Sequence, residues 1–305
     1  MNSKKISFPL SLVLFTALFL GTTCSVLADG LELQLNRTPI ISTDSLRARL
    51  VAPAPLPALS PVTPLPSTYV IPKVLRVQVG QQGDCASSDA WVAAQILTSL
   101  AWRESGLFDY VASPTSLFRD VGNRDCADGW NVDDAMLATT QEHLRMDSAN
   151  DPHAWGQRRP LVKAGRAGAL ESKYQMRRFL ASDIPLAASF VAFPGINHYK
   201  GGIYSEKHAG VSRNHLPAAP AGRHTVMVIG YHTGGLLQVD DFFQRLLGYT
   251  PQYATETLDV PAFWVYQNSW GTDWGFHGYG MIAVGEPFAG PIDSKMWWIT
   301  DVVMK

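Results

Sequence analysis

The stretch from Gln81 to Trp102 constrains the fold more than any other part of the chain. It reads Q-Q-G-D-C-A-S-S-D-A-W-V-A-A-Q-I-L-T-S-L-A-W, a glycine-punctuated loop that runs into a helix. Ser87, Ser88 and Asp89 are helix-start residues, because their side-chain oxygens can accept the unpaired N–H groups of a first turn. Trp91, Val92, Ala93, Ala94, Ile96, Leu97 and Leu100 follow and leave almost no polar face. A helix that is apolar nearly all round belongs inside a domain. Its buried N-terminus aims a positive dipole end and free N–H groups at whatever side chain stands there.

With 305 residues, 46% of them hydrophobic, the chain can bury a sizeable core, as one large domain or two small lobes. A net charge of −1 removes any electrostatic case for a nucleic-acid partner. Residues 1–28 read as a secretory signal peptide. Lys4 and Lys5 form its charged start, Ile6 to Leu20 is apolar but too short to span a membrane, and Val26-Leu27-Ala28 fits a cleavage site. Residues 29–69 follow as a short segment and a linker, in which Pro53, Pro55, Pro57, Pro61, Pro64 and Pro66 favour extended polyproline II. A short helix is expected between Ser42 and Leu50. Residues 70–305 remain for a folded domain in a secreted or periplasmic protein, expected to be a monomer with no membrane contact after signal cleavage.

Within 70–305 the pattern predicts a strand over Val70–Val79 and a helix start at Ser113-Pro114. Helices are expected over Val132–Leu144 and Leu170–Leu180, with an aperiodic surface segment over Asn150–Ala169. Leu186–Phe193, bounded by Pro185 and Pro194, reads as a strand, and Met296–Met304 as another. Helices first and strands later argue for an α+β fold in two lobes. Residues 232–262 lengthen one connection, and Asp240-Asp241 reads as exposed loop charge rather than a metal or acid pair. Two cysteines, Cys85 and Cys126, survive signal removal. In an exported protein they favour a disulfide over a metal pair, with two free buried thiols as the alternative.

Three stretches resemble the papain-like cysteine peptidases. Gln82, Gly83, Cys85, Ser87 and Ala90 match the pattern Q-G-x-C-x-S-C-W-A-F, with Ser88 at the nucleophile position and Asp89 where the family has Trp. His224-Thr225-Val226 to Gly230-Tyr231 resembles H-A-V-x-x-V-G-Y, and His224 lies 136 residues after Ser88, within the spacing of papain-type enzymes. Trp264 to Gly275, with Asn268, Ser269, Trp270, Gly271 and Trp274, resembles W-x-x-x-N-S-W-G-x-x-W-G.

The resemblance implies a papain-like fold: a helical lobe from about Ala86 to Leu180, a β-barrel-like lobe from Ile184 onward, and an active-site cleft between. It also implies a Cys85–Cys126 disulfide, expected to stabilise by about 4 kcal/mol in the chain-entropy model. By position, Gln82 would be the oxyanion donor, His224 the acid–base residue, Asn268 its orienting partner and Trp270 a shield over that pair. Gly129 would present its backbone to a substrate, with Asp128 altering that wall. Neither a metal nor a cofactor is implied.

Ser88 changes the chemistry. The family works through a thiolate–imidazolium pair, and a hydroxyl is too basic to form one. Asp89 is expected to oppose a developing oxyanion and to hold His224 protonated. The leading expectation is therefore an impaired or inactive homologue that binds peptide or protein in the cleft. The alternative is a peptidase that uses Ser88 as nucleophile with His224 and Asn268.

Overall fold

A computed structural model describes residues 64–106, 108–127, 129–149, 159–192, 194–204, 222–249, 256–285, 292 and 294–305. The expected signal peptide, the helix at 42–50 and nearly all of the proline-rich linker lie outside the described residues, as does Asp128.

The central helix α1 (Ser88–Ser105) starts where the sequence places it and ends at Gly106, which takes a left-handed conformation and donates its N–H to Trp102 O. Ala90, Val92 to Leu97 and Leu100 are buried on all sides, so packing rather than one amphipathic stripe holds this helix. A π-helical turn (Ser116–Val121) and α2 (Val132–Gln141) pack on the same side. Asn131 caps α2 by accepting the N–H of Asp134, which satisfies one of the unpaired donors of its first turn. Helix α3 (Lys173–Leu180) is shorter than expected and buries Met176, Phe179 and Leu180.

A ten-stranded sheet runs through the molecule in the order β2-β3-β4-β12-β5-β7-β10-β11-β6, with β1 also paired to β7. The members are β1 (Thr68–Val70), β2 (Tyr110–Ala112), β3 (Leu144–Ser148), β4 (Leu161–Leu170), β5 (Leu186–Ala192), β6 (Ile203–Tyr204), β7 (Gly222–His232), β10 (Phe263–Gln267), β11 (Tyr279–Ala283) and β12 (Met296–Met304). The molecule is thus α+β with a helical lobe and a β-rich lobe. The C-terminal strand β12 returns to lie between β4 and β5, so it joins the two halves of the chain.

Three segments depart from the sequence reading. Of the strand expected over Val70–Val79, only Thr68–Val70 pairs with β7. Pro72 follows without an N–H to offer, Lys73–Leu75 makes a 3-10 turn, and Arg76 turns away to donate to Arg245 O and Leu246 O. The segment expected to be aperiodic contains β4, whose L-V-K-A-G-R-A-G-A-L hides its period behind two glycines. Gly168 is there for space: a Cβ on it would lie 2.7 Å from the Trp298 ring on the paired strand. Residues 232–262 hold β8 (Gly235–Gln238), α4 (Val239–Leu247) and β9 (Thr257–Val260), with β8 and β9 paired as a separate hairpin. Asp240 and Asp241 are not loop residues but the first turn of α4, where their charge favours the helix dipole. Phe242, Leu246 and Leu247 seat that helix, and Arg76 and Lys73 take its last carbonyls.

Candidate active site

The candidate site lies where the N-terminus of α1 meets strands β7 and β10. The loop before α1 is fixed from two sides. Cys85 and Cys126 form a disulfide across 41 residues of sequence, and Ala86 N–H donates to Cys126 O. Gln82 N–H donates to Ser269 O. The Gln82 side chain is held at both ends: its Nε2 donates to Cys85 O at 2.8 Å, and its Oε1 accepts from Ser269 Oγ at 2.5 Å. An amide held in this way keeps one further N–H whose direction is set in advance.

His224 stands near the start of β7 and is 1% exposed. Its Nε2 lies 2.7 Å from Asn268 Oδ1, and the same oxygen accepts the Ser269 N–H at 2.8 Å. Two donors on one oxygen settle the tautomer: Nε2 carries the proton, so neutral His224 leaves Nδ1 as an acceptor. The Trp270 ring stacks on the imidazole with centroids 4.2 Å apart, and Phe190 meets it edge-on at 5.9 Å. Enclosure between rings makes a charged imidazole costly. Burial lowers the His224 pKa to about 4, against the opposing hydrogen bond to Asn268.

Ser88 occupies the first turn of α1, beside N–H groups that have no acceptor within the helix. Its Oγ is buried and has no hydrogen-bond partner among the described residues, so it is not bonded to His224. Gln82, Ser88, His224, Asn268 and Trp270 are all buried. Gly129 sits on the Cys126 side with φ of 65°. Next to it, Trp130 O accepts from Arg223, the residue before His224. Gln82, Asn268 and His224 are therefore tied into one hydrogen-bonded network through Ser269, with Trp270 stacked on the imidazole.

Asp89 does not act as expected. Its side chain is fully buried, and it accepts the Thr225 Oγ1 proton at 2.7 Å. The charge expected to protonate His224 is engaged by a hydroxyl instead, and desolvation moves the imidazole the opposite way. Ser189 Oγ lies 2.6 Å from Thr225 Oγ1 and extends the chain into β5. Sequence reasoning missed Ser269, Thr225, Ser189 and Phe190. Ser269 stands inside a recognised motif, and Thr225 replaces the Ala of another; that replacement was the available signal. Among the described residues, no group of three His, Cys, Asp or Glu side chains gathers as metal ligands, and no helix is long and apolar enough to cross a membrane.

Residues 72–297 match the model of the papain family cysteine proteases. Oryzain gamma chain from Oryza sativa subsp. japonica is 26% identical over 106 residues, which is 35% of this chain and 21% of that protein. The chain thus matches about a fifth of the length of such curated relatives. Among solved structures, procathepsin B S9 from Trypanosoma congolense superposes with a TM-score of 0.59 at 16% identity, covering 78% of each chain. Digestive procathepsin L 3 of the Tenebrio molitor larval midgut gives 0.55 at 17% identity, over 81% of this chain and 73% of that one. At these identities the structures speak for the fold alone.

Proposed function

The chain belongs to the papain family of cysteine proteases, and from that membership we propose that it is an exported, non-catalytic homologue that holds a peptide or protein segment in its cleft. One observation carries this reading: the Ser88 hydroxyl is buried and has no hydrogen-bond partner among the described residues. A serine nucleophile needs a base within hydrogen-bond reach, because its proton must leave as it attacks. Among the described residues no base is bonded to Ser88, and His224 is too weakly basic to hold a proton near neutrality. The parts around it are nonetheless ordered. Gln82 as oxyanion donor, Asn268 as orienting partner and Trp270 as cover are roles that fit their contacts, and they suit a cleft that grips a peptide carbonyl without cleaving the bond. Gly129 would offer its backbone to the same segment.

The proposal is tested on a mixed peptide library with wild type, Ser88→Cys and His224→Ala. Wild type should retain peptides and release no new termini. Ser88→Cys should gain cleavage and labelling by thiol-directed epoxides, since a thiol there meets a helix N-terminus and an oriented imidazole. Efficient wild-type cleavage that His224→Ala abolishes would replace this reading with a working Ser88 peptidase.

A further inference from the structure

We infer that Asp89 is a positioning residue for the imidazole: through Thr225 it ties the His224 strand to the first turn of the helix that carries Ser88. The inference rests on the reading of Ser88 and His224 as one site, and it names what sets their relation. Asp89 lies on α1 in the helical lobe, and Thr225 and Ser189 lie on β7 and β5 in the β-rich lobe. All three are buried, at 0%, 1% and 3% exposure.

The hydrogen bonds have one consistent order. Thr225 has a single hydroxyl proton and gives it to the Asp89 carboxylate. The contact between Ser189 and Thr225 must then be donated by Ser189. The chain therefore runs Ser189 to Thr225 to Asp89, each proton spent once. It follows a cross-strand rung, because Ser189 pairs with Thr225 in the β5–β7 register. The next rung pairs Phe190 with His224, the ring pair that closes one edge of the imidazole. Movement of the Thr225 rung would carry the His224 rung with it.

Both ends of the clamp depart from the family pattern at once. Asp89 replaces a Trp and Thr225 replaces an Ala in the motifs that otherwise match. A buried polar group needs a hydrogen-bond partner, and Asp89 takes the Thr225 proton while Ser189 donates to Thr225 in turn. Together the two groups satisfy each other. The contact is a hydrogen bond with direction, and an acidic group in a first helical turn also complements the helix dipole. The site thus departs as a coupled set, Ser88 with Asp89 and Thr225, and not at the nucleophile position alone.

The test follows the His224 imidazole by long-range proton–nitrogen correlation in wild type, Asp89→Asn, Asp89→Ala, Thr225→Val and the Asp89→Ala/Thr225→Val pair. Asp89→Ala should shift or broaden the His224 signals. Those of His232, buried at the far end of the same strand, should hold still. Asp89→Asn keeps an acceptor oxygen and should preserve the wild-type spectrum. Thr225→Val should reproduce the Asp89→Ala change, and the pair should add nothing further, since both remove one bond. In a Ser88→Cys background, alkylation of the introduced thiol should slow about tenfold with Asp89→Ala and stay within about twofold with Asp89→Asn, as expected when orientation is lost or kept. Unchanged His224 signals in Asp89→Ala would overturn the inference. So would an equal change at His232, which would mean general loosening, or failure of Asp89→Asn to restore the spectrum. An unreactive Ser88→Cys parent would count against the site reading itself, while the spectra still decide the role of Asp89.

Discussion

Acid should destabilise this fold through His224 in particular. In the unfolded chain an imidazole takes up its proton near its ordinary pKa of 6.5; in the folded chain His224 does so only at about 4. Between those values the unfolded state binds the proton and the folded state does not. Stability is therefore full above the unfolded pKa and falls as the pH drops, by about 1.4 kcal/mol per pH unit for one proton. The decline levels off below the folded pKa, after a total of about 3 kcal/mol. His232, also buried, shifts in the same direction. The comparison that isolates His224 is wild type against His224→Gln, which removes the titration and retains a polar side chain. Urea unfolding followed by tryptophan fluorescence, from about pH 7.5 to about pH 4, should show the wild type losing about 3 kcal/mol more than the variant across that range. Equal pH dependence in the two proteins would refute the argument, as would an NMR titration in which His224 protonates at 6.5 or above. In Ser88→Cys the His224 pKa should rise, because a neighbouring thiolate stabilises the imidazolium.

Three further outcomes follow from contacts elsewhere in the molecule. Reduction of Cys85–Cys126, which closes 41 residues of sequence, should cost about 4 kcal/mol; a melting temperature unchanged by reductant would contradict this. Gly230→Ala should destabilise by about 2 kcal/mol. The added Cβ would sit 2.3 Å from Tyr69 O and push β1 off β7. Urea curves that overlay those of wild type would show that β1 contributes nothing. Arg76→Ala should remove two charged hydrogen bonds from the end of α4 and the cation over the Tyr279 ring. Amide exchange at Leu247 and Gly248 should quicken by about tenfold or more, and unchanged exchange would mean that Lys73, bonded to Leu247 O, caps the helix without help.

Much of the fold was legible because its signals are local. The apolar run from Ala90 to Leu100 can only be a buried helix, and β5 and β12 announce themselves as apolar strands. β4 was not legible. Its glycines break the period, and what makes it a strand is β12, which pairs with it from more than 120 residues away. The strand expected to reach Val79 failed for a similar reason: the partner that draws Arg76 out of line is an inserted helix at 239–247. In the candidate site, Gln82, His224, Asn268 and Trp270 could be named from their motifs. Ser269, which binds Gln82 and Asn268 into one network, could not, because a motif gives residue types and not hydrogen bonds.

By itself, then, the sequence determined the family, the α+β class, the two cysteines available for a bridge, and a serine, Ser88, in the first of the matching motifs. Each of these depends on residue identity or short spacing alone. Tertiary structure decided the charges. In the sequence, Asp89 is one residue from Ser88, and proximity along the chain suggests that its charge acts on His224. In space its carboxylate faces Thr225, while Phe190 and Trp270 enclose the imidazole. Electrostatic effects depend on direction, distance and dielectric. All three are set by which strand packs on which helix, and none can be read from neighbours in the chain.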